Sequence, residues 1–356
     1  MSLGRRLSRT VSVGGVNIGG GARITVQSMT NTDTHDLEKT YSQIMHLEEA
    51  GCDIVRLTAP DIESVKTFER LKAKGVKIPL VADVHFDYKI AVAAAMSGAD
   101  KIRINPGNIG SRDKIEKVVA ACRNANVPIR IGVNSGSVEK HILEKYGSPV
   151  AAALAESALY HAGLLEELDF YNTVISVKAS SVPSMIEANR ILAEKTNYPL
   201  HLGVTEAGGG TDAIVKSSIG IGSLLSQGIG DTIRVSLTDD PVEEVYCAGE
   251  ILRALSLTDR GCMDVVSCPT CGRTKIDLIA IVKEFKKKAR ERGLDKKNIK
   301  VALMGCAVNG PGEAREADIG IAGGIGEGLL FAHGKIIRKI PEDRLVSELI
   351  EEIEKM

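Results

Sequence analysis

Short runs of β-branched and aliphatic residues alternate with amphipathic stretches along most of the chain. Ile24–Met29, Ile54–Thr58, Leu80–His85, Lys101–Asn105, Ile129–Asn134, Thr173–Lys178, Leu200–Glu206 and Ile233–Leu237 each read as a strand. A helical stretch follows each of the first runs. From Thr34 to Ala50, Leu37, Tyr41, Ile44 and Met45 share one face and Gly51 closes the helix. Another helix is predicted over Asp61–Lys74, and the clearest are Ala151–Leu168, Val182–Lys195 and Pro241–Leu255. Eight strand–helix units in roughly 250 residues is the arithmetic of a (β/α)8 TIM barrel. An open doubly wound sheet is the alternative, but such sheets rarely carry eight units and the Gly-rich dinucleotide fingerprint is missing. Gly208-Gly209-Gly210 and Gly220-Ile221-Gly222 fit loops and a phosphate-binding turn. Ahead of the first unit, Val11-Ser12-Val13 and Val16-Asn17-Ile18 flank Gly14-Gly15 and predict a hairpin that plugs or caps the domain.

The repeat ends near Thr258, so residues 1–258 are expected to form the barrel, which binds the substrate. Residues 259–356 are expected to form a smaller α/β domain. In it, Val265-Val266-Ser267, Val301–Met304 and Asp318–Ala322 read as strands, and Leu329–Phe331 with Lys335–Ile337 as a hairpin. Asp277–Arg292 is an amphipathic helix whose Lys286-Lys287-Lys288 run suits a solvated face. Pro341 is placed to open a last helix with Leu345, Leu349 and Ile353 on one side.

Composition narrows the function. A chain of 356 residues with 44% hydrophobic content supports two cores. A formal net charge of −1, 3% aromatics and no Trp argue against a nucleic-acid or anionic-membrane surface. Neither a signal peptide nor a bilayer-length apolar run is visible, which predicts a cytoplasmic protein with reduced thiols. The seven cysteines are then not a disulfide framework. Cys52, Cys122 and Cys247 sit in apolar or helical contexts and read as core residues.

Reacting groups of such barrels sit at the C-terminal strand ends. There the chain places Arg56, Asp83 with His85, Arg103 with Asn105, Arg130 with Asn134, Lys178, Glu206, and Arg234 with Ser236. Alternation along a strand puts Arg103/Asn105, Arg130/Asn134 and Arg234/Ser236 on one face each. Four arginines and a lysine converging on one mouth suit a polyanion, and guanidinium forks match phosphate oxygens. Asp83 and Glu206 are the candidates for proton transfer. His85 and His201 read first as hydrogen-bonding residues.

The second domain carries Ser267-Cys268-Pro269-Thr270-Cys271-Gly272-Arg273 and Met304-Gly305-Cys306-Ala307-Val308-Asn309-Gly310-Pro311-Gly312-Glu313. Two thiolates two residues apart and a third on a Gly/Pro loop suit an incompletely closed iron–sulfur cluster, and they also suit zinc. Spacing leaves the fourth ligand open between Cys262 and Glu313. A CxxxCxxC motif does not occur, which disfavours a radical S-adenosylmethionine enzyme. The other readings are a barrel hydrolase or lyase acting on a phosphorylated metabolite with a structural zinc domain, and a non-enzymatic iron–sulfur sensor. The charged mouth weakens the sensor reading.

The stretches CPTCGRT and MGCAVNGPGEAREADIG resemble the 4-hydroxy-3-methylbut-2-en-1-yl diphosphate synthase family in its bacterial two-domain form. So do VQSMTNTDT, VRLTAP, ADVHFDY, KIRINPGNIG, IRIGVNSGS, SVKAS, LGVTEAG and TIRVSLT, a match from about Val26 to Gly324. The large inserted domain of plant-type members is absent. The resemblance implies a [4Fe–4S] cluster on Cys268, Cys271, Cys306 and Glu313. It also implies reductive ring opening of 2-C-methyl-D-erythritol 2,4-cyclodiphosphate, with loss of water, to (E)-4-hydroxy-3-methylbut-2-enyl diphosphate. Reduced flavodoxin or ferredoxin would be the donor. Arg56, Arg103, Arg130, Lys178 and Ser236 would hold phosphate, Asn105, Asn134 and Arg234 would complete the site with His85, and Glu206 and Asp83 would handle protons or hydroxyls. A homodimer in which each cluster domain caps the partner's barrel is expected from the same resemblance.

Overall fold

The computed structural model of the chain describes residues 4–148, 150–258, 263–306 and 315–356. Two compact units divide it, Met1–Thr258 and Asp259–Met356.

The first unit opens with an antiparallel hairpin, β1 (Val11–Val13) and β2 (Val16–Ile18), in which Val13 faces Val16 across the Gly14-Gly15 turn. Strands and helices then alternate: β3 (Thr25–Met29), α1 (Leu37–Glu49), β4 (Ile54–Thr58), α2 (Ile62–Ala73), β5 (Leu80–Asp83), α3 (Tyr88–Met96) and β6 (Lys101–Ile104). A one-turn helix, α4 (Pro106–Ile109), precedes α5 (Arg112–Asn124), β7 (Ile129–Asn134), α6 (Lys140–Tyr146), α7 (Ala151–Glu166) and β8 (Thr173–Lys178). The unit finishes with α8 (Val182–Lys195), β9 (His201–Leu202), α9 (Gly210–Leu225), β10 (Thr232–Ile233) and α10 (Pro241–Ala254).

The eight strands β3–β10 pair in parallel in the order β8-β7-β6-β5-β4-β3-β10-β9, and an Ile175–Leu200 bridge joins β8 to the start of β9. The sheet therefore curls into the expected TIM barrel. Alternation sorts the side chains. Val55, Leu57, Ile129, Ile131, Ile175 and Val177 face outward and pack under the helices. Ile54, Val81 and Val174 face inward near the strand starts, where Val11, Val13 and Ile18 of the hairpin pack on them. The hairpin thus plugs the bottom of the barrel with hydrocarbon. Polar residues are left to fill the upper interior.

Helix starts are fixed by short polar caps just above the strand ends. Asp36 accepts from the Lys39 amide, Asp61 forms a capping box with Ser64, and Asp240 caps α10. Two glycine assignments change. Gly220 and Gly222 lie inside α9 rather than in a phosphate-binding turn, and a methyl on Gly220 would come within 2.6 Å of Met185 Cε and 2.8 Å of Val204 Cγ2. Close helix–barrel packing is what Gly220 serves.

The second unit is a five-stranded mixed sheet, β11 (Asp264–Ser267), β12 (Lys300–Met304), β13 (Ile319–Gly323), β14 (Glu327–Ala332) and β15 (Lys335–Pro341), in sequential order. The pairs β11–β12 and β12–β13 are parallel, and the rest antiparallel. Helices α11 (Leu278–Glu291) and α12 (Leu345–Lys355) bury Phe285, Leu349 and Ile353 against Val301, Leu303 and Ile321. The last helix begins at Leu345, because Pro341 still ends a strand and a 3-10 turn over Glu342–Arg344 intervenes. Among the described residues, no helix is long and apolar enough to cross a membrane.

Candidate active site

The barrel mouth is built from inward-facing positions at the tops of the strands. Parallel register sets Met29 beside Arg56, Asp83 beside Arg103, Arg103 beside Arg130, and Asn134 beside Lys178. Asp83 is 3% exposed and lies between two guanidiniums, 3.0 Å from Arg103 Nη1 and 3.7 Å from Arg56 Nε. Burial alone would raise its carboxyl. Arg56 and Arg103 outweigh that and bring it down to about 2. A group held that far down is a charge anchor and a poor proton donor near neutral pH. This moves the expectation for Asp83 from proton transfer to holding the cation cluster.

Arg56 also points Nε and Nη2 at Met29 Sδ, 3.0 and 2.8 Å away, and burial pushes its guanidinium down to about 10. Arg130 is 1% exposed. Its Nη1 donates to Gln27 Oε1 at 3.3 Å, and its Nε meets no protein acceptor among the described residues. Lys178 is buried and donates no hydrogen bond to a described acceptor, and burial drives its ammonium well below the ordinary lysine range. The Nδ2 donor of Asn105, 3% exposed, is likewise unfilled.

Two glycines make room for these side chains. A methyl on Gly132 would stand 2.5 Å from Arg103 Nε, and one on Gly203 would stand 2.8 Å from Lys178 Nζ. Any larger residue would fill the volume that the cations occupy.

Arg234 departs from the expectation of a cation free for the ligand. Its Nε and Nη2 donate to Glu244 at 3.0 and 2.9 Å, a two-point ion pair with a carboxylate on α10. Glu244 is 3% exposed and also accepts from Ser28 Oγ at 2.8 Å. Sequence reasoning missed it, because an acidic residue in the first turn of a helix is ordinary in its own right. Ser236 is half-buried beyond Arg234, while Asn134 and His85 are exposed at the rim. His85 Nε2 lies 3.5 Å from Arg103 Nη1. His201 is fully buried, with Nδ1 3.4 Å from Thr232 Oγ1, which agrees with a hydrogen-bonding interior residue. Lys101 was also missed. It is fully buried at the foot of β6, where burial lowers its ammonium strongly.

Glu206 is exposed in the loop after β9 and holds φ at +54°. A non-glycine residue in the left-handed region is uncommon, and such conformations concentrate at functional sites.

In the second unit, β11 and β12 end side by side, with Ser267 aligned to Leu303. Cys268 follows the first strand and Cys306 follows Gly305 after the second. The Gly305 amide donates to Cys268 Sγ at 3.3 Å, and the Lys275 amide donates to the Gly305 carbonyl at 3.0 Å. The CxxC turn is thereby strapped to the strand that leads to Cys306. Cys271 is exposed and held by hydrogen bonds with Thr274, and the Arg273 amide lowers its thiol. Three free thiols follow the C-terminal ends of β11 and β12, one already receiving a backbone N–H, and thiols are the donor chemistry of an iron–sulfur group. Among the described residues no three His, Cys, Asp or Glu side chains converge as a metal cage. Glu313 and Cys262 lie outside the described residues. The other cysteines match a core role. Cys52 and Cys122 are buried with thiols pushed up to about 12, and Cys247 is half-buried.

Two family models match this chain, described as GcpE TIM-barrel domain over residues 8–249 and GcpE protein C-terminal domain over residues 264–355. The chain belongs to the GcpE family. Among its relatives, a protein of Clostridium perfringens (strain 13 / Type A) named 4-hydroxy-3-methylbut-2-en-1-yl diphosphate synthase (flavodoxin) is 58% identical over 352 residues, 99% of either chain. A protein of the same name from Caldanaerobacter subterraneus subsp. tengcongensis is 56% identical over 99% of this chain and 98% of its own. Of solved structures, an N-acetylneuraminic acid synthetase from Leptospira borgpetersenii superposes with a TM-score of 0.52 at 13% identity, covering 81% of this chain and 99% of that one. That likeness concerns the barrel fold alone.

Proposed function

We propose that this GcpE-family chain reduces and opens 2-C-methyl-D-erythritol 2,4-cyclodiphosphate to (E)-4-hydroxy-3-methylbut-2-enyl diphosphate; its relatives are named 4-hydroxy-3-methylbut-2-en-1-yl diphosphate synthase (flavodoxin). The observation that carries the reading is the charge imbalance of the mouth. Among the described residues, Arg56, Arg103, Arg130, Lys178 and Arg234 meet the carboxylates of Asp83 and Glu244 alone, and donors on Arg130 and Asn105 have no protein acceptor. A cyclic diphosphate supplies the missing negative charge and oxygen acceptors.

In this reading Arg56, Arg103, Arg130, Lys178 and Ser236 hold the phosphate oxygens. Asn105, Asn134 and His85 orient the carbon skeleton. Arg234, fixed by Glu244, frames one wall of the site. The net change adds two electrons and two protons, breaks a C–O bond of the ring and releases one oxygen as water. Glu206, at the rim and free of a cation clamp, is the residue placed to deliver a proton to the departing hydroxyl. Asp83 keeps Arg56 and Arg103 in place. Cys268, Cys271, Cys306 and Glu313 would hold a [4Fe–4S] cluster, which would supply the electrons.

Flavodoxin, printed in the relatives' names, is the proposed donor, and the cytoplasm the proposed location. We further propose a homodimer in which one subunit's cysteines serve the partner's barrel. Mixing Cys306→Ala with Lys178→Ala chains tests the sharing. Activity should return in the mixture, and heterodimers that stay inactive refute it.

The function itself is tested on protein purified without oxygen. About four irons and four sulfides per chain are expected, with turnover of the cyclodiphosphate under reduced flavodoxin. One zinc, no sulfide and hydrolysis of a phosphorylated compound would instead establish the barrel hydrolase with a structural zinc domain.

A further inference from the structure

A second buried polar group stands directly behind Asn105. The Asn105 side-chain oxygen accepts from the Gly107 amide at 3.0 Å and bends the chain into the one-turn α4. Behind that turn, His161 of α7 meets Glu139 from the segment after β7, Nε2 to Oε1 at 2.5 Å. His161 is 1% exposed. A carboxylate only accepts, so the imidazole Nε2 is the donor. A methyl on Gly107 would lie 2.9 Å from Glu139 Oε1, 3.3 Å from His161 Cε1 and 3.3 Å from Asn105 Oδ1. Three successive elements of the barrel wall therefore meet at one glycine, and only a residue without Cβ fits between them.

Core packing does not by itself account for this pair. A polar pair set into an apolar wall usually contributes little beyond well-packed hydrocarbon of the same volume. Around it Ile142, Leu154, Ala158 and Ala162 are buried, together with the Ser157 hydroxyl next to Glu139. The polar pair sits only where the wall abuts the Asn105 turn. Burial raises the Glu139 carboxyl, and His161 together with the Ser157 hydroxyl brings it below its ordinary value, so the acceptor stays ionised.

We infer that Glu139 and His161 are positioning residues that clamp the Asn105–Gly107 turn and so aim the unfilled Asn105 amide at the bound diphosphate. The inference rests on the reading of the mouth given above. Neither residue touches the ligand. Their effect passes through the backbone of one short turn, which a supporting hydrogen bond can hold within the tolerance that binding requires.

The test is calorimetric titration of the anaerobic holoenzyme with the cyclodiphosphate, which reads binding without turnover. Asn105→Ala should weaken binding at least tenfold. His161→Phe, which keeps the ring volume and loses the hydrogen bond, should weaken it about tenfold. Glu139→Gln keeps an acceptor for His161 and should stay within twofold of the parent. The decisive variant is the double Asn105→Ala/His161→Phe. It should bind within twofold of Asn105→Ala alone, since the clamp has nothing left to aim. Multiplying factors in the double variant, or a folded His161→Phe protein that binds like the parent, overturns the inference. Should His161→Phe not fold, Gly107→Ala perturbs the same turn from the other side. It should weaken binding about tenfold, and unchanged binding overturns the clamp. If Asn105→Ala alone binds like the parent, the reading of the mouth falls and the clamp with it.

Discussion

Gly132→Ala tests how tightly the cation cluster is packed. One methyl would be added inside the barrel, 2.5 Å from Arg103 Nε, 2.8 Å from Nη2 and 3.0 Å from Cζ. Ordinary contact begins near 3.4 Å, so Nε must retreat by about 0.9 Å. The end of a long side chain usually steps aside at little cost. Here it cannot do so freely, because Arg103 is 9% exposed and its Nη1 is tied to Asp83 at 3.0 Å. Overpacking of a tight interior costs about 1–3 kcal/mol. Losing one charge-assisted hydrogen bond to a phosphate oxygen costs about 1.5–3 kcal/mol. The second figure translates into roughly a 10- to 150-fold loss of kcat/KM, at 1.4 kcal/mol per tenfold. The assay is steady-state turnover with saturating reductant, with calorimetric binding beside it. The same substitution in an Arg103→Lys background supplies the control. Lysine lacks the fork that the methyl strikes, so the glycine change should cost under threefold there. An equal loss in both backgrounds would refute action through Arg103, and a Gly132→Ala enzyme within twofold of the parent would refute the packing argument altogether.

Other residues of the site make separate predictions. Glu206→Gln should lower kcat by about 10²–10⁴ while leaving the binding constant within threefold and the melting temperature unchanged, because the side chain is exposed; an unaltered kcat removes Glu206 as the proton source. Asp83→Asn should cost about 3–5 kcal/mol in urea unfolding near pH 7, since it leaves two buried guanidiniums without their anion. The folded Asp83 value is depressed from 3.8 to about 2, so its contribution is complete above pH 4 and lost as pH falls through 2. The gap between parent and variant should narrow by about 2 kcal/mol over that range, and a gap that holds constant contradicts the assignment. Cys268→Ala should abolish bound iron and sulfide while cyclodiphosphate binding by the barrel persists, as analysis of metal content and calorimetry would show; full cluster content would exclude Cys268 as a ligand.

The barrel was legible because its two faces are written differently. Outward positions such as Val55, Leu57, Ile129 and Ile131 are aliphatic, and the inward positions between them, Arg56 and Arg130, are charged. A period of two with cations on one side leaves little room for another fold. The hairpin plug was legible for a similar reason, since Val11, Val13 and Ile18 present one apolar face, which meets the strand-start residues Ile54, Val81 and Val174. The thiol-bearing edge could be read from CxxC and the Gly-flanked Cys306. What escaped was pairing at a distance. Glu244 looks like an N-terminal helix acid until α10 brings it to Arg234, and His161 looks like one polar residue on an apolar helix until Glu139 meets it from 22 positions away. Gly220 and Gly222 misled because glycines after a strand suggest a loop, whereas Gly220 buys close contact of α9 with Met185 and Val204.

The two buried carboxylates of the mouth, Asp83 and Glu244, share one physical task. A mouth proposed to receive a dianion cannot neutralise all its cations internally, yet unpaired guanidiniums stacked in one barrel repel each other and lose hydration. The chain resolves the conflict by partial compensation. Asp83 answers Arg56 and Arg103, and Glu244 answers Arg234, while the Nε of Arg130 meets no acceptor among the described residues. The two carboxylates are each 3% exposed, so neither is open to compete with the ligand from solvent. Had either been a rim residue it would screen the mouth and weaken binding, and had both been absent the arginines of the empty barrel would face one another without an anion. Asp83 sits between its two cations and Glu244 reaches Arg234 from α10, and that arrangement depends on contacts between elements that no local pattern in the sequence encodes.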